Sequence, residues 1–443
     1  MKCHRKRRVV LVAICALVVV VAVVAVAGYV AVERRLEAQR AGTGAVGAPS
    51  APVSLEGEKH QGRFTAHVEF TSMAAPPDAR VSTDVTWDDD WFFQDPTTYN
   101  HELARTCSVL SAIANSESAY YQAGSGSPAY MEDALAALGF EDVSTASYQY
   151  RSEILDEVAS FFTNTMDVTA YSVATKRVTS SQTGATKTLL LVSVRGSYGS
   201  EWLSDANMGD PAKLDLAEAD HAGFAEPAQE IVGQLSQRVT QLAEAGSSTD
   251  DVALLFCGHS RGAATVNLAA SYADDYADSL RPLAPLGSIY AYTFACPRTT
   301  LMSNAHDARY DNIFNVNNPS DMVPRLPLAA WGYTRFGKDL WLPEPGAEGF
   351  DEKYDAMRAA FEANVGTASP YDPSDNATVD RFERELADEV ATQQDFETLG
   401  GVAAVVRHVA LDMNVMRVLY GHYPNTYIAW MQAVDASDLR TER

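Results

Sequence analysis

The chain has 443 residues, is 47% hydrophobic and carries a net charge of −24 at pH 7. That length allows one large domain or two to three smaller ones, with enough apolar material for a sizeable core. The acidity excludes a nucleic-acid binder, which needs a basic footprint, and disfavours tight docking on anionic lipid.

The basic residues are unevenly spread. Lys2, Arg5, Lys6, Arg7 and Arg8 crowd residues 1–8, and the uncharged run Val9–Val32 follows directly. A membrane-spanning helix needs about 20 apolar residues, so residues 9–32 read as a transmembrane signal-anchor. The preceding cations predict a cytoplasmic tip and an exported body. A cleaved signal peptide is the competing expectation, because Ala25-Val26-Ala27 fits a small-x-small cleavage site. In the first case the chain is a single-pass cell-membrane protein whose helix partners the bilayer; in the second it is secreted. Residues 33–62 are rich in small residues, Gly and Pro, and read as a flexible linker. The rest, 63–443, reads as one catalytic-type domain.

Within that domain "GRFTAHVEFTS" alternates as a strand does. Leu103, Leu110 and Ile113 give an apolar stripe to a helix over 98–122. "YMEDALAALGF" predicts a short helix stopped by Gly139. "DVTAYSVATKRVT" and "KTLLLVSVR", separated by the turn-rich "SSQTGAT", predict a hairpin. A helix is expected over 223–245. A strand (252–257), a helix (261–276) and strands at 288–294 and 312–317 follow. Such alternation implies a largely parallel central sheet with helices on both faces, an α/β class. Residues from about 335 to 405 are acidic and read as a mostly helical insertion. The last helix is expected to start near Pro424. Of five cysteines, Cys107, Cys257 and Cys296 lie in this domain. They lack any metal-ligand spacing and read as buried free thiols.

The chemistry concentrates in "ALLFCGHSRGAATVNLAASY", where Gly258-His259-Ser260-Arg261-Gly262 matches G-x-S-x-G. A serine on a sharp strand-to-helix turn is pushed out of the sheet toward a cleft. The turn is so tight that the residues two before and two after it lack side chains, hence Gly258 and Gly262. The helix opening at Arg261 aims its N-terminal N–H groups at the point where an oxyanion forms during attack on a carbonyl. A serine needs a base, and the base an orienting carboxylate. Downstream, "IFNVNNPSDMVPRLP" places Asp321 just past a strand, between Pro319 and Pro324. His306, His408 and His422 follow the serine. His306 precedes Asp321, and His408 lies in a helix-like stretch that predicts a packed histidine. His422, in "LYGHYPNTYIAW", sits in a loop before the last helix and is the preferred base, with His408 the alternative. A second oxyanion donor is expected from the loop in "LLLVSVRGSYGSEW". There Gly196 permits a tight turn and Ser197 offers both N–H and hydroxyl.

"VSVRGS" with "EWLSD", "HAGF", "GHSRGAA", "YTFACPR", "VNNPSDMVPRLP" and "GHYPNTY", in this order, resemble the class 3 lipase family. These are alpha/beta-hydrolases related to fungal triacylglycerol lipases. The resemblance implies nucleophile Ser260, acid Asp321, base His422, oxyanion-hole Ser197 with the Arg261 N–H, and a lid over about 198–220. It implies a hydrolase of carboxylic esters, of lipid or acylglycerol type, working through an acyl-serine with no metal or organic cofactor. The family usually has glycine where this chain has Ala295, and the stretch between Asp321 and His422 is long. The same triad also serves acyltransferases, thioesterases and amidases, and a non-catalytic surface-binding protein on a hydrolase fold is a third reading.

Overall fold

The computed structural model describes residues 60–72, 80–117, 129–145, 169–196, 219–220, 222–396, 398, 400–401, 404, 407–408 and 414–442. The basic tip, the apolar run 9–32 and nearly all of the linker lie outside them. Among the described residues no helix is long and apolar enough to cross a membrane.

The centre is an eight-stranded sheet in the order β10-β9-β8-β7-β6-β5-β4-β3. The strands are β3 (Glu141–Ser144), β4 (Tyr171–Thr179), β5 (Thr186–Val194), β6 (Val252–His259), β7 (Ile289–Phe294), β8 (Ile313–Asn317), β9 (Lys338–Trp341) and β10 (Arg440–Glu442). Strands β5 to β9 run parallel, while β3, β4 and β10 pair antiparallel at the two margins. The hairpin read in the sequence is β4–β5, paired from Tyr171↔Val194 to Thr179↔Thr186.

Every residue of β6 is buried, as expected of a central strand covered on both faces. Alternate side chains therefore feed two separate cores. Leu189, Leu191, Leu255 and Cys257 join one core, and Leu190, Val192, Leu254 and Phe256 join the other. The first core is closed by α1 (His101–Glu117), α2 (Tyr130–Ala137), α5 (Phe350–Val365) and α9 (Pro424–Ala433); the second by α3 (Ala222–Glu244) and α4 (Arg261–Tyr276). Pro424 occupies the first turn of α9, where its missing N–H is harmless. The three cysteines of the domain are buried and free.

Three features depart from the sequence reading. The first strand, β1 (Arg63–Thr71), has a partner, β2 (Arg80–Asp88), in a separate antiparallel pair. Residues 335–405 hold α5, α6 (Asp375–Glu389) and α7 (Gln393–Phe396), but also β9. Strand β9 has only four residues, too few for a periodicity signal, and owes its form to pairing with β8 on one side and β10 on the other. Finally, His422 is the last residue of a short helix, α8 (Val415–His422), and not part of a loop.

Candidate active site

The C-terminal ends of β5 to β8 lie side by side, with Val194 opposite Gly258 and His259 opposite Phe294. Ligand sites of open α/β sheets form at this edge. Strand β6 ends at His259 and α4 begins at Arg261, so Ser260 alone makes the turn. Its backbone is held at φ 58°, ψ −129°, a conformation costly for any residue with a Cβ. Its N–H donates to the Phe294 carbonyl at 2.9 Å. A Cβ on Gly258 would lie 2.5 Å from the Gly262 carbonyl oxygen, and one on Gly262 would lie 2.4 Å from that of Val194. Both glycines are thus required by direct backbone approach.

The hydroxyl of Ser260 lies 2.9 Å from Nε2 of His422, and Nδ1 of His422 lies 2.8 Å from Oδ2 of Asp321. All three residues are buried. Asp321 follows β8 in the turn expected for it. Its Oδ1 accepts the Val323 N–H at 2.9 Å, which fixes the carboxylate plane. The other two histidines are engaged elsewhere. His306 bonds the Gly337 carbonyl and the Thr334 hydroxyl. His408 is buried and pairs through Nε2 with Glu389.

Of the two expected oxyanion donors, Ser197 and the segment read as a lid (198–220) lie outside the described residues, apart from 219 and 220. Arg261 opens α4, and a first-turn N–H has no acceptor within its own helix. Gly196, which precedes Ser197 in the chain, sits against the turn at Ser260. A Cβ there would lie 2.5 Å from the His259 carbonyl oxygen and 3.2 Å from Cβ of Ser260.

Four residues of this site were missed by sequence reasoning. Tyr427, on α9, donates its hydroxyl to Oδ2 of Asp321 at 2.8 Å and accepts the Asn318 N–H at 3.0 Å. Burial and the adjacent carboxylate push its phenol well above the usual range, so the hydroxyl stays a donor. Asn318 also reaches from its side chain to the Gly421 carbonyl at 2.9 Å. His259 lies under His422 with ring centroids 4.8 Å apart. Asn115, on α1, accepts the Gly196 N–H on Oδ1 at 2.7 Å. Tyr427, Asn318 and His259 fall inside quoted motifs, but nothing in a linear pattern marks their partners. Asn115 carries no signal at all.

The arrangement is a serine hydroxyl with a hydrogen-bonded imidazole behind it and a buried carboxylate behind that. Such a relay withdraws a proton as the oxygen attacks. The mostly parallel sheet and the strand-to-helix turn at Ser260 define the class, an alpha/beta-hydrolase fold. Within it, residues 191–331 match the model of the class 3 lipases, described as Lipase (class 3), and the resemblance seen in the sequence is to that family. Among curated relatives, the secreted mono- and diacylglycerol lipase A of Penicillium camembertii is 29% identical over 195 residues, 42% of this chain and 59% of that protein. The secreted mono- and diacylglycerol lipase 1 of Fusarium solani is 28% identical over 160 residues, 34% of this chain and 44% of that protein. The chain thus spans about three fifths or less of the length of these relatives. The crystal structure of a lipase from Rhizopus microsporus var. chinensis is similar at 19% identity and a TM-score of 0.36, covering 65% of this chain and 86% of that one.

Proposed function

We propose that this protein hydrolyses carboxylic esters of lipid or acylglycerol type through an acyl-serine intermediate. The observation that carries the reading is the unbroken run of hydrogen bonds from Ser260 through His422 to Asp321. Ser260 attacks the ester carbonyl while His422 takes its proton and returns it to the leaving alcohol. Asp321 fixes the imidazole tautomer and offsets its charge once protonated. The Arg261 N–H and Ser197 hold the oxyanion. Water, activated by the same imidazole, then releases the acid. No step calls for a metal or an organic cofactor.

The substrate class follows the printed names of the relatives, which act on mono- and diacylglycerols. Their secreted character and the basic, then apolar, N-terminal sequence support a domain outside the cytoplasm. Mass spectrometry of the native N-terminus separates a retained anchor from a mature chain beginning near Gly28. In the candidate lid, Glu201, Asp205, Asp210, Asp215, Glu218 and Asp220 interleave with the apolar residues. This polarity supports turnover of short or medium acyl chains in dispersed form over emulsified long-chain triglyceride.

The test is labelling by a serine-reactive fluorophosphonate, together with turnover of p-nitrophenyl esters from acetate to palmitate. Labelling lost in Ser260→Ala, and butyrate turned over faster than palmitate with no rate jump above the solubility limit, are the expected results. Absence of both labelling and ester turnover overturns the reading; interfacial activation on triolein overturns the acyl preference.

A further inference from the structure

The long stretch between Asp321 and His422 packs onto the segments that carry both of them. Glu383, on α6, accepts from Arg298 at 2.9 Å and from Arg325 at 3.1 Å, and Asp380 one turn earlier accepts from Arg325 at 3.0 Å. Arg325 closes the turn that carries Asp321, and Arg298 holds the chain just beyond it. Arg325 also donates to the Pro319 carbonyl, and Arg298 to the carbonyls of Arg325 and Pro327. From the loop before α6, the Tyr371 hydroxyl meets Asn318 and Ser320 at 3.3 and 3.2 Å, and Ser320 donates to the Pro373 carbonyl at 3.3 Å. The same loop holds the histidine's helix: Arg417 of α8 binds Asp372 at 2.6 Å, Ser374 at 2.8 Å and Asp375 at 3.0 Å. Beneath these polar contacts lies a small apolar core separate from the two that cover the sheet. It joins Met322, next to Asp321, to Val379, Phe382 and Leu386 of α6 and to Val418 of α8.

We infer that residues 371–390 are a brace that sets Asp321 and His422 in register, with Glu383 its main positioning residue and the Arg417 cluster a second one. The physical reason is that acid and base come from chain segments a hundred residues apart in sequence and from different strand and helix ends. Neither the acid turn nor α8 is long enough to fix its own tilt. A carboxylate bridging two arginines on one side, an arginine bridging two carboxylates on the other, and a shared core supply that constraint. Glu383 outweighs the Arg417 cluster because its side chain and those of Arg298 and Arg325 are 11–21% exposed, while Arg417 and Asp372 are nearly half exposed and screened. Without Glu383 two neighbouring guanidinium groups lose the carboxylate between them.

The inference rests on Ser260, His422 and Asp321 being the working triad, so its test carries a readout independent of turnover. The readouts are kcat and KM on p-nitrophenyl butyrate, and the downfield imidazole N–H resonance of His422 held against Asp321. Both are taken on the full chain at a temperature where each variant is folded. Glu383→Gln is expected to lower kcat about 10- to 100-fold with KM changed less than about twofold, the effect of a small misplacement at the reacting centre, and to weaken the resonance. Arg417→Met, a milder change, moves both in the same direction by less. Arg358→Met, which removes an exposed pair with Asp355 on α5, leaves both at parent values. A folded Glu383→Gln that melts earlier yet keeps the parent kcat and resonance overturns the brace. If the parent neither turns over esters nor labels at Ser260, the triad reading fails. The resonance still decides the brace: retained in Glu383→Gln it overturns it, and lost there but kept in Arg358→Met it supports it.

Discussion

Nε2 of His259 donates to the backbone carbonyl of His422 at 2.8 Å, so the residue before Ser260 holds the main chain of the histidine that faces the serine hydroxyl. The bond puts a proton on Nε2 of His259. Burial, and then the nearby His422 ring, keep its pKa well below 6.5, with the hydrogen bond acting the other way.

That depressed value makes stability depend on pH in one direction. Above about 6.5 both native and unfolded His259 are neutral and the residue contributes no slope. Below it the unfolded chain takes a proton the native state refuses, so stability falls with acidification until the native pKa is reached. Asp274, whose carboxyl burial raises well above its usual range, acts in the opposite sense, so the measurement is a difference. Between pH 7 and 5.5 the parent is expected to lose about 1 kcal/mol more than His259→Gln, which keeps a donor at the same reach. Urea unfolding at the two pH values reads this. Equal losses in both proteins would show that His259 does not titrate on unfolding.

The phenol of Tyr427 gives a second prediction. Tyr427→Phe leaves the buried Asn318 N–H unpaired, costing about 1–3 kcal/mol of stability. It also removes one of the donors on Oδ2 of Asp321. A further loss of about tenfold in kcat, or 1.4 kcal/mol of barrier, is expected on p-nitrophenyl butyrate. An unchanged kcat in a folded variant would mean that His422 and the Val323 N–H suffice to orient the carboxylate.

Gly196 is set by close approach and not by its φ. In Gly196→Ala the new methyl meets the His259 carbonyl oxygen at 2.5 Å, so the strand end must withdraw from the nucleophile turn and carry Ser197 with it. A fall of about 100-fold or more in kcat is expected, with fluorophosphonate labelling slowed in parallel. Parent-like labelling would place the oxyanion donors elsewhere.

Strain at Ser260 is measurable apart from activity. Ser260→Ala and Ser260→Gly both remove the hydroxyl and are expected to lower turnover by about 10⁴-fold or more. They differ in the cost of φ 58°, so the glycine variant should be more stable by about 1 kcal/mol. Unfolding midpoints decide this; an alanine variant as stable as the glycine one would mean that the turn relaxes at no cost.

Much of this site could be read from the chain. Gly262 also has β5 against it, but the apolar run Val252–Cys257, the glycines spaced around Ser260 and the small-residue helix after it are visible as a pattern of consecutive residues. The same holds for Asp321, pinned between prolines at a strand end. His422 was chosen over His408 because a helix-like surrounding argued against the latter. In the structure His408 is buried against Glu389, although His422 itself ends a helix and does not sit in a loop.

Strands β2 and β9, the partners of Asp321, and the role of the acidic stretch were not legible. Strand β9 is four residues long and is held between β8 and β10, both distant in sequence from its own residues. Asn115 and Glu383 are polar residues without a distinguishing pattern around them, Asn318 and Tyr427 lie in motifs that do not mark their partners, and those partners lie far away in sequence. Local backbone geometry and hydrophobic period are written into consecutive residues, so the nucleophile turn and the α/β alternation were determined by the sequence alone. The direction of a buried hydrogen bond depends on which distant segments pack together, and that was decided only when the sheet edge, α6 and α8 closed around Asp321 and His422.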